Sequence, residues 1–136
     1  MDRRALLNVD YGLLLTFVFF FIFSGNLARI DVVRDFFSAL LEKNTLIVSA
    51  HSCQVISNVP SAILLSQFTD NYKALLYGVN IGGAGTLIAS LASLITFREY
   101  AENEPNKVGS YILKFSAFNF AFLIILGAFC QLLLAI

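Results

Sequence analysis

The chain has 136 residues, of which 58% are hydrophobic and only 13% are charged. Its mean hydropathy of +0.78 lies above the range of soluble globular domains and indicates an integral membrane protein. Nine basic residues balance nine acidic ones, so no electrostatic argument favours a nucleic acid as partner. We therefore expect the lipid bilayer of a cell membrane to surround a multi-pass chain.

The first apolar stretch, residues 11–30, is about 20 residues long and is predicted to be a retained membrane span. It lacks the small-residue cleavage site of a secretory signal. The tripeptide Ser24-Gly25-Asn26 near its end is expected to face protein, since lipid tolerates an amide poorly. Residues 32–43 place apolar side chains at helical spacing opposite charged ones, which predicts an amphipathic helix in the interface.

Residues 44–70 are long enough for one span, but Pro60 near their middle lacks an N–H group and disfavours helix at the residue before it. Each half is about 12 residues, or about 18 Å of helix, a little over half of a hydrocarbon core about 30 Å thick. This predicts a re-entrant hairpin; a single Pro-kinked span is the alternative. The second arm is expected to begin around Pro60, capped by Ser57, Asn58 or Ser61.

Residues 74–97 form a predicted span that glycines interrupt at 82–85. Residues 98–109 are expected to be a hydrophilic surface loop, and residues 110–136 a last span. The fold class is therefore an all-α integral membrane unit with three spans, one of them unwound, one re-entrant hairpin and one interfacial helix. Five Lys and Arg residues lie on one side and four on the other, which favours a cytoplasmic N-terminus by one residue.

Two helix breaks inside the membrane predict a binding site, because unpaired backbone groups in hydrocarbon cost several kcal/mol each. Helix ends at the breaks would present N–H groups to an anion and carbonyl oxygens to a cation such as Na⁺. The predicted site residues are Ser57, Asn58, Ser61, Asn80, Gly82, Gly83, Gly85 and Thr86. We expect the small residues to serve close helix packing as well, with residues 85–93 mainly in that role. They form two ridges: Gly78, Gly82, Thr86 and Ser90, and Gly85, Ala89 and Ser93.

Three more polar residues, His51, Ser52 and Gln54, enter the membrane within the hairpin. An ionisable side chain there is a candidate for function, so His51 makes H⁺ an alternative coupling ion. The two cysteines, Cys53 and Cys130, lie far apart in apolar sequence and are interpreted as small buried hydrophobic residues, with no metal or disulfide.

Three segments, "DYGLLLTFVFFFIFSGNL", "SNVPSAILL" and "GVNIGGAGTLIASLASLITF", follow in this order. They resemble the second half, the C-terminal inverted repeat, of permeases in the ion transporter superfamily, which includes citrate transporters, arsenite permeases and divalent-anion/sodium symporters. The resemblance implies a transporter in which each half supplies one hairpin and one unwound helix to a shared midplane site.

By this resemblance Ser57 and Asn58 stand at the hairpin tip and Gly82 and Gly83 in the unwound helix. Oxygen atoms of Ile56, Ser57, Asn58 and Gly82 would hold a coupling Na⁺. Val59 occupies the place of a threonine in the dicarboxylate symporters, which removes a hydroxyl group that would bind a carboxylate.

We therefore expect half of a permease that performs secondary active, ion-coupled transport of a small inorganic or organic anion. Such a half needs a second permease half or a homo-oligomer to complete its site. The alternative is a non-transporting membrane subunit, or a truncated fragment, with an assembly role only. No paired carboxylates lie in the membrane and no nucleophile stands beside a base, so we expect no enzyme activity and no cofactor other than a coupling Na⁺ or H⁺.

Overall fold

A computed structural model describes residues 11–135, and every regular element in this range is helical, which confirms the all-α fold. Arg3 and Arg4, two of the five basic residues on which the predicted orientation of the N-terminus depends, lie outside the described residues. The helices are α1 Tyr11–Leu27, α2 Asp31–Ile56, α3 Asn58–Leu65, α4 Tyr72–Gly82, α5 Leu91–Asn103 and α6 Val108–Ala135, with short 3₁₀ helices at Leu87–Ala89 and Pro105–Lys107.

Helix α1 ends at Leu27, three residues before the predicted end of the first span. Residues 28–30 form a turn, and the chain bends by 97° into α2. Ser24 is fully buried, as expected for a residue that faces protein. The expectation for Asn26 was wrong: its side chain is exposed, and its amide donates to the Ile22 carbonyl oxygen at 2.8 Å. The amide is thus paired within its own helix.

Helix α2 contains a kink at Asn44, whose φ of −166° and ψ of 93° are not helical. The kink lies where the predicted interfacial helix meets the predicted hairpin. Asn44 Oδ1 accepts from the Ile47 N–H group at 3.0 Å, as a helix N-cap does. The residue thereby starts a new helical segment, which runs to Ile56 and forms the first arm of the hairpin.

The hairpin turns at Ser57, between the end of α2 at Ile56 and the start of α3 at Asn58. The expectation that the second arm begins around Pro60 is corrected, since Pro60 is the third residue of α3. A proline is tolerated there because N–H groups of a first helical turn have no partner within the helix. The second arm ends at Leu65, earlier than predicted.

Helices α2, α3 and α4 enclose the core of the described chain. Its buried cluster comprises Leu41, Cys53, Leu64, Leu65, Phe68, Leu75 and Val79. Glycines let α4 approach α2 closely: a Cβ atom at Gly82 would lie 2.8 Å from Ala50 Cα, and one at Gly78 would lie 2.6 Å from the Leu46 carbonyl oxygen. The packing role predicted for the first small-residue ridge therefore applies to these two glycines.

The predicted broken span is interrupted over a longer stretch than the four residues expected. Helix α4 ends at Gly82, and α5 starts only at Leu91. The expected hydrophilic loop at 98–109 is corrected as well, because α5 continues to Asn103. An ion pair of 3.1 Å between Arg98 and Glu102, one helical turn apart, supports the helix there.

Within the described range, only the helical stretch Pro105–Ala135 is by itself long and apolar enough to cross a membrane, with a mean hydropathy of 2.2. The helices Leu14–Leu27 and Asp31–Ile56 meet the same criterion only when they are counted together as one span, bent at the turn between them. Helix α6 has no fully buried residue, and many of its large apolar side chains are exposed, among them Phe118, Ile124 and Phe129. Such a surface suits contact with lipid or with further protein.

Candidate functional site: two facing helix interruptions

The two interruptions of the helices lie against each other. The first is the hairpin tip at Ser57, and the second is the break at residues 83–90 between α4 and α5. Ser57 Oγ donates to the Ala89 carbonyl oxygen across the gap at 3.4 Å. The helix ends at the two interruptions, which are far apart in the sequence, therefore lie together at one place in the structure.

Ser57 has a strained backbone. Its φ of 71° and ψ of 159° belong to a region that residues other than glycine rarely adopt. The Ser57 N–H group donates to the Cys53 carbonyl oxygen at 3.1 Å, and its own carbonyl oxygen accepts from the Ser61 N–H group at 3.1 Å. These bonds hold the tip in a conformation that costs about 1–3 kcal/mol, a cost typical of functional turns.

Gln54, one turn before the tip, bridges the two interruptions. Its Nε2 donates to the carbonyl oxygens of Gly82 at 2.7 Å and Ala84 at 3.3 Å. Its Oε1 accepts from the Thr86 N–H group at 2.9 Å. The Thr86 hydroxyl group adds a bond of 3.3 Å to the Gln54 carbonyl oxygen. One carboxamide thus pairs backbone groups on both sides of the break.

Asn58 is the first residue of α3 and is half-buried at the tip. Its Oδ1 accepts from the Val59 N–H group at 2.9 Å. Its Nδ2 faces the break, because a Cβ atom at Gly83 would lie 3.2 Å from it. The amide therefore stands where a ligand between tip and break would meet it.

Gly85 meets two constraints at once. Its φ is +128°, a conformation that side chains rarely adopt, and a Cβ atom there would collide with Gln54 Oε1. The glycine lets the backbone turn away from the axis of α4 while it stays against the Gln54 carboxamide. This position requires glycine.

The structure brings together six of the eight predicted site residues: Ser57, Asn58, Gly82, Gly83, Gly85 and Thr86. The other two lie elsewhere. Ser61 is fully buried between the hairpin arms, with its Oγ 2.9 Å from Ser52 Oγ. Asn80 is exposed and donates its amide to the Leu76 carbonyl oxygen of its own helix at 2.7 Å.

His51 does not touch either interruption. Its side chain is exposed, and its Nδ1 lies 2.9 Å from the Ile47 carbonyl oxygen, which makes Nδ1–H the donor. It lines an apolar cavity of about 470 Å³ between α2, α4 and α6, together with Gln54 and Gln131. Gln54 is therefore reachable from this cavity as well as from the break.

The four residues expected to hold Na⁺ offer hard oxygen ligands of the right kind. Two of those oxygens already accept hydrogen bonds: Gly82 from Gln54 Nε2 at 2.7 Å and Asn58 Oδ1 from Val59 at 2.9 Å. Ser57 Oγ, which donates to the Ala89 carbonyl oxygen, is the hydroxyl oxygen of the set. Among residues 11–135 no group of three or more His, Cys, Asp and Glu side chains could hold a metal ion, and both cysteines are free.

Sequence reasoning missed Gln54 as a member of the site, although it placed the residue in the membrane. The signal was available: Gln54 precedes the predicted tip by one helical turn and is an amide in an apolar arm. What the sequence could not show is that this face of α2 points at the break in α4.

The chain is similar to two curated membrane proteins. It is 40% identical over 125 residues to a protein of Methanocaldococcus jannaschii named an uncharacterized transporter, a match that covers 92% of this chain and 35% of that protein. It is 39% identical over 101 residues to the inner membrane protein YbiR of Escherichia coli, a match that covers 72% of this chain and 27% of the relative.

The chain thus spans about a third of the length of these relatives. No protein-family model matches it, and no solved structure shows significant similarity. The similarity covers both interruptions of the site and supports a membrane location for this chain.

Proposed function

We propose that this chain is one half of a permease that transports a small anion by secondary active, ion-coupled transport. A second permease half or a second copy of the chain completes the site. The observation that carries the proposal is the meeting of two helix interruptions, at Ser57 and at residues 83–90. Similarity to a protein named a transporter supports the general class of activity.

The physical argument concerns backbone groups. A membrane helix that ends inside protein leaves N–H or C=O groups that need partners, and a transported solute can supply them. Here the Asn58 side-chain amide, at the first residue of α3, supplies a donor for an anion beside the positive end of that helix. The end of α2 and the carbonyl groups before the break supply oxygens for a coupling cation.

The test uses the complex that the affinity-tagged chain forms in its native membrane, purified with any second half and reconstituted into proteoliposomes with an inward Na⁺ or H⁺ gradient. Uptake of radiolabelled citrate, sulfate, phosphate and arsenite is measured, together with the shift that each solute causes in the thermal stability of the chain. We expect at least one solute to be taken up or to stabilise the protein. The proposal would be overturned if none of these solutes were taken up and none shifted the thermal stability.

Two asparagine variants test whether transport depends on the hairpin tip. Asn58→Ala removes the donor at the tip, and uptake should fall by about tenfold or more, the usual cost of losing one hydrogen bond to a charged group. Asn119→Ala is the control, because its amide donates only to the Phe115 carbonyl oxygen of its own helix at 2.9 Å. Equal uptake by the two variants would favour a subunit with an assembly role only.

A further inference from the structure

We propose that Gln54 is a positioning residue that keeps helix α4 broken by inserting its carboxamide into the hydrogen bond that would otherwise continue the helix. The proposal rests on the proposed function, since the segment it positions is one side of the transport site. It assigns a role to a residue that contacts the break without being part of it.

The Gln54 side-chain amide stands between two backbone groups that would bond to each other in a continuous helix. In a continuous helix the Thr86 N–H group would donate to the Gly82 carbonyl oxygen, four residues earlier. In this structure Gln54 Nε2 donates to Gly82 at 2.7 Å, and Gln54 Oε1 accepts from Thr86 at 2.9 Å. The side-chain amide therefore satisfies both partners of the missing helical bond.

The neighbouring contacts hold the carboxamide in that place. Nε2 also lies 3.3 Å from the Ala84 carbonyl oxygen and 3.1 Å from the Ala50 carbonyl oxygen of its own helix, so its two hydrogens are shared among three acceptors. Gly85 leaves the room that the inserted group needs, because any Cβ atom there would collide with Oε1. The last backbone bonds that extend α4 are those of the Gly83 and Ala84 N–H groups, to Val79 and Ile81.

Removing the carboxamide has a defined consequence. The Gly82 carbonyl and the Thr86 N–H group lose their partners together, and unpaired backbone groups in a membrane are costly. The pairing still available to them is with each other, which rewinds residues 83–86 into helix. The backbone groups that face the hairpin tip are then taken up by the helix.

The experiment is hydrogen–deuterium exchange with mass spectrometry on the whole chain in nanodiscs. Gln54→Met keeps the length of the side chain and removes its polar atoms. We expect the amide hydrogens of residues 83–86 to exchange about tenfold more slowly in this variant, because these residues become helical. Exchange that is unchanged or faster there would overturn the proposal. Asn26→Leu, which removes an amide bonded only to its own helix, is the control and should leave this peptide unaffected.

A second variant covers the case in which Gln54→Met does not fold. In Gln54→Glu, a protonated carboxyl group at acidic pH can donate to Gly82 and accept from Thr86, so the segment should exchange as in the wild type at the same pH. At neutral pH the carboxylate still accepts from Thr86 but repels the Gly82 carbonyl oxygen, so the segment is held less firmly and should exchange faster than in the wild type. His51 is the titratable residue that lines the same cavity, and any effect of its titration also occurs in the wild type measured at the same pH. Exchange that follows the wild type at both pH values would contradict the proposal.

Transport gives a separate readout. With the anion that the wild type carries, Gln54→Met should raise KM by about tenfold, because residues 83–86 are no longer held at their distance from the hairpin tip. The exchange measurement does not depend on transport. Absence of uptake by the wild type would count against the proposed function alone, whereas unaltered exchange in Gln54→Met would count against the role of Gln54 alone.

Discussion

Gly82→Ala tests the close contact between α2 and α4 that places the break beside the hairpin. A Cβ atom at this position would lie 2.8 Å from Ala50 Cα, 2.9 Å from the Ala50 carbonyl oxygen and 2.9 Å from Cys53 Cβ. Non-bonded carbon atoms pack at about 3.5–4.0 Å, so the new methyl group is about 1 Å too close.

The resulting cost can be worked out from these distances. Two of the three atoms belong to the backbone of α2 and cannot rotate away, so α4 has to shift outward by about 1 Å. Overpacking of this kind costs about 1–3 kcal/mol. The better helix propensity of alanine returns at most about 1 kcal/mol, and less at the last residue of a helix. We expect a net destabilisation of about 1–2 kcal/mol.

The assay is thermal unfolding of the chain in detergent, followed by far-ultraviolet circular dichroism. The apparent Tm of Gly82→Ala should fall by about 5 °C. Gly127→Ala is the matched control, since no atom lies within 4 Å of a Cβ atom built at that helical glycine. Its Tm should stay the same or rise. Equal Tm values for the two variants would refute the spacing of α2 and α4 and the position of the break that follows from it.

Three further predictions concern the tip, a buried hydroxyl group and the hairpin. Ser57→Gly should raise the free energy of unfolding by about 1 kcal/mol, because glycine adopts the observed backbone conformation without strain, and should lower uptake through loss of the bond to Ala89; a lower stability would contradict the strain. Ser24→Ala should be neutral or stabilising by up to about 1 kcal/mol in chemical unfolding, since within the described chain the buried Ser24 Oγ has no hydrogen-bond partner. Cysteines introduced at Lys43 and Asp70 should react with a membrane-impermeant maleimide from the same face of the bilayer, and labelling from opposite faces would refute the re-entrant hairpin.

The positions of the helix breaks could be predicted from the sequence because local chemistry determines them. Pro60 and the glycines at 82–85 disfavour a helix that runs continuously through them. Boundaries were less accurate, since proline is tolerated anywhere in a first helical turn and Arg98 and Glu102 extend a helix that hydropathy alone would end.

The composition and order of the segments by themselves determined that this is an all-helical, strongly apolar chain with two interrupted helices. Tertiary structure decided which polar groups meet. Periodicity places Gln54, Asn80 and Ser61 on faces of their own helices, but the neighbour that each face contacts depends on how α2, α3 and α4 pack. The α2–α4 contact turns Gln54 toward the break and leaves Asn80 outside, because hydrogen bonds between segments form only where packing brings donor and acceptor within about 3 Å.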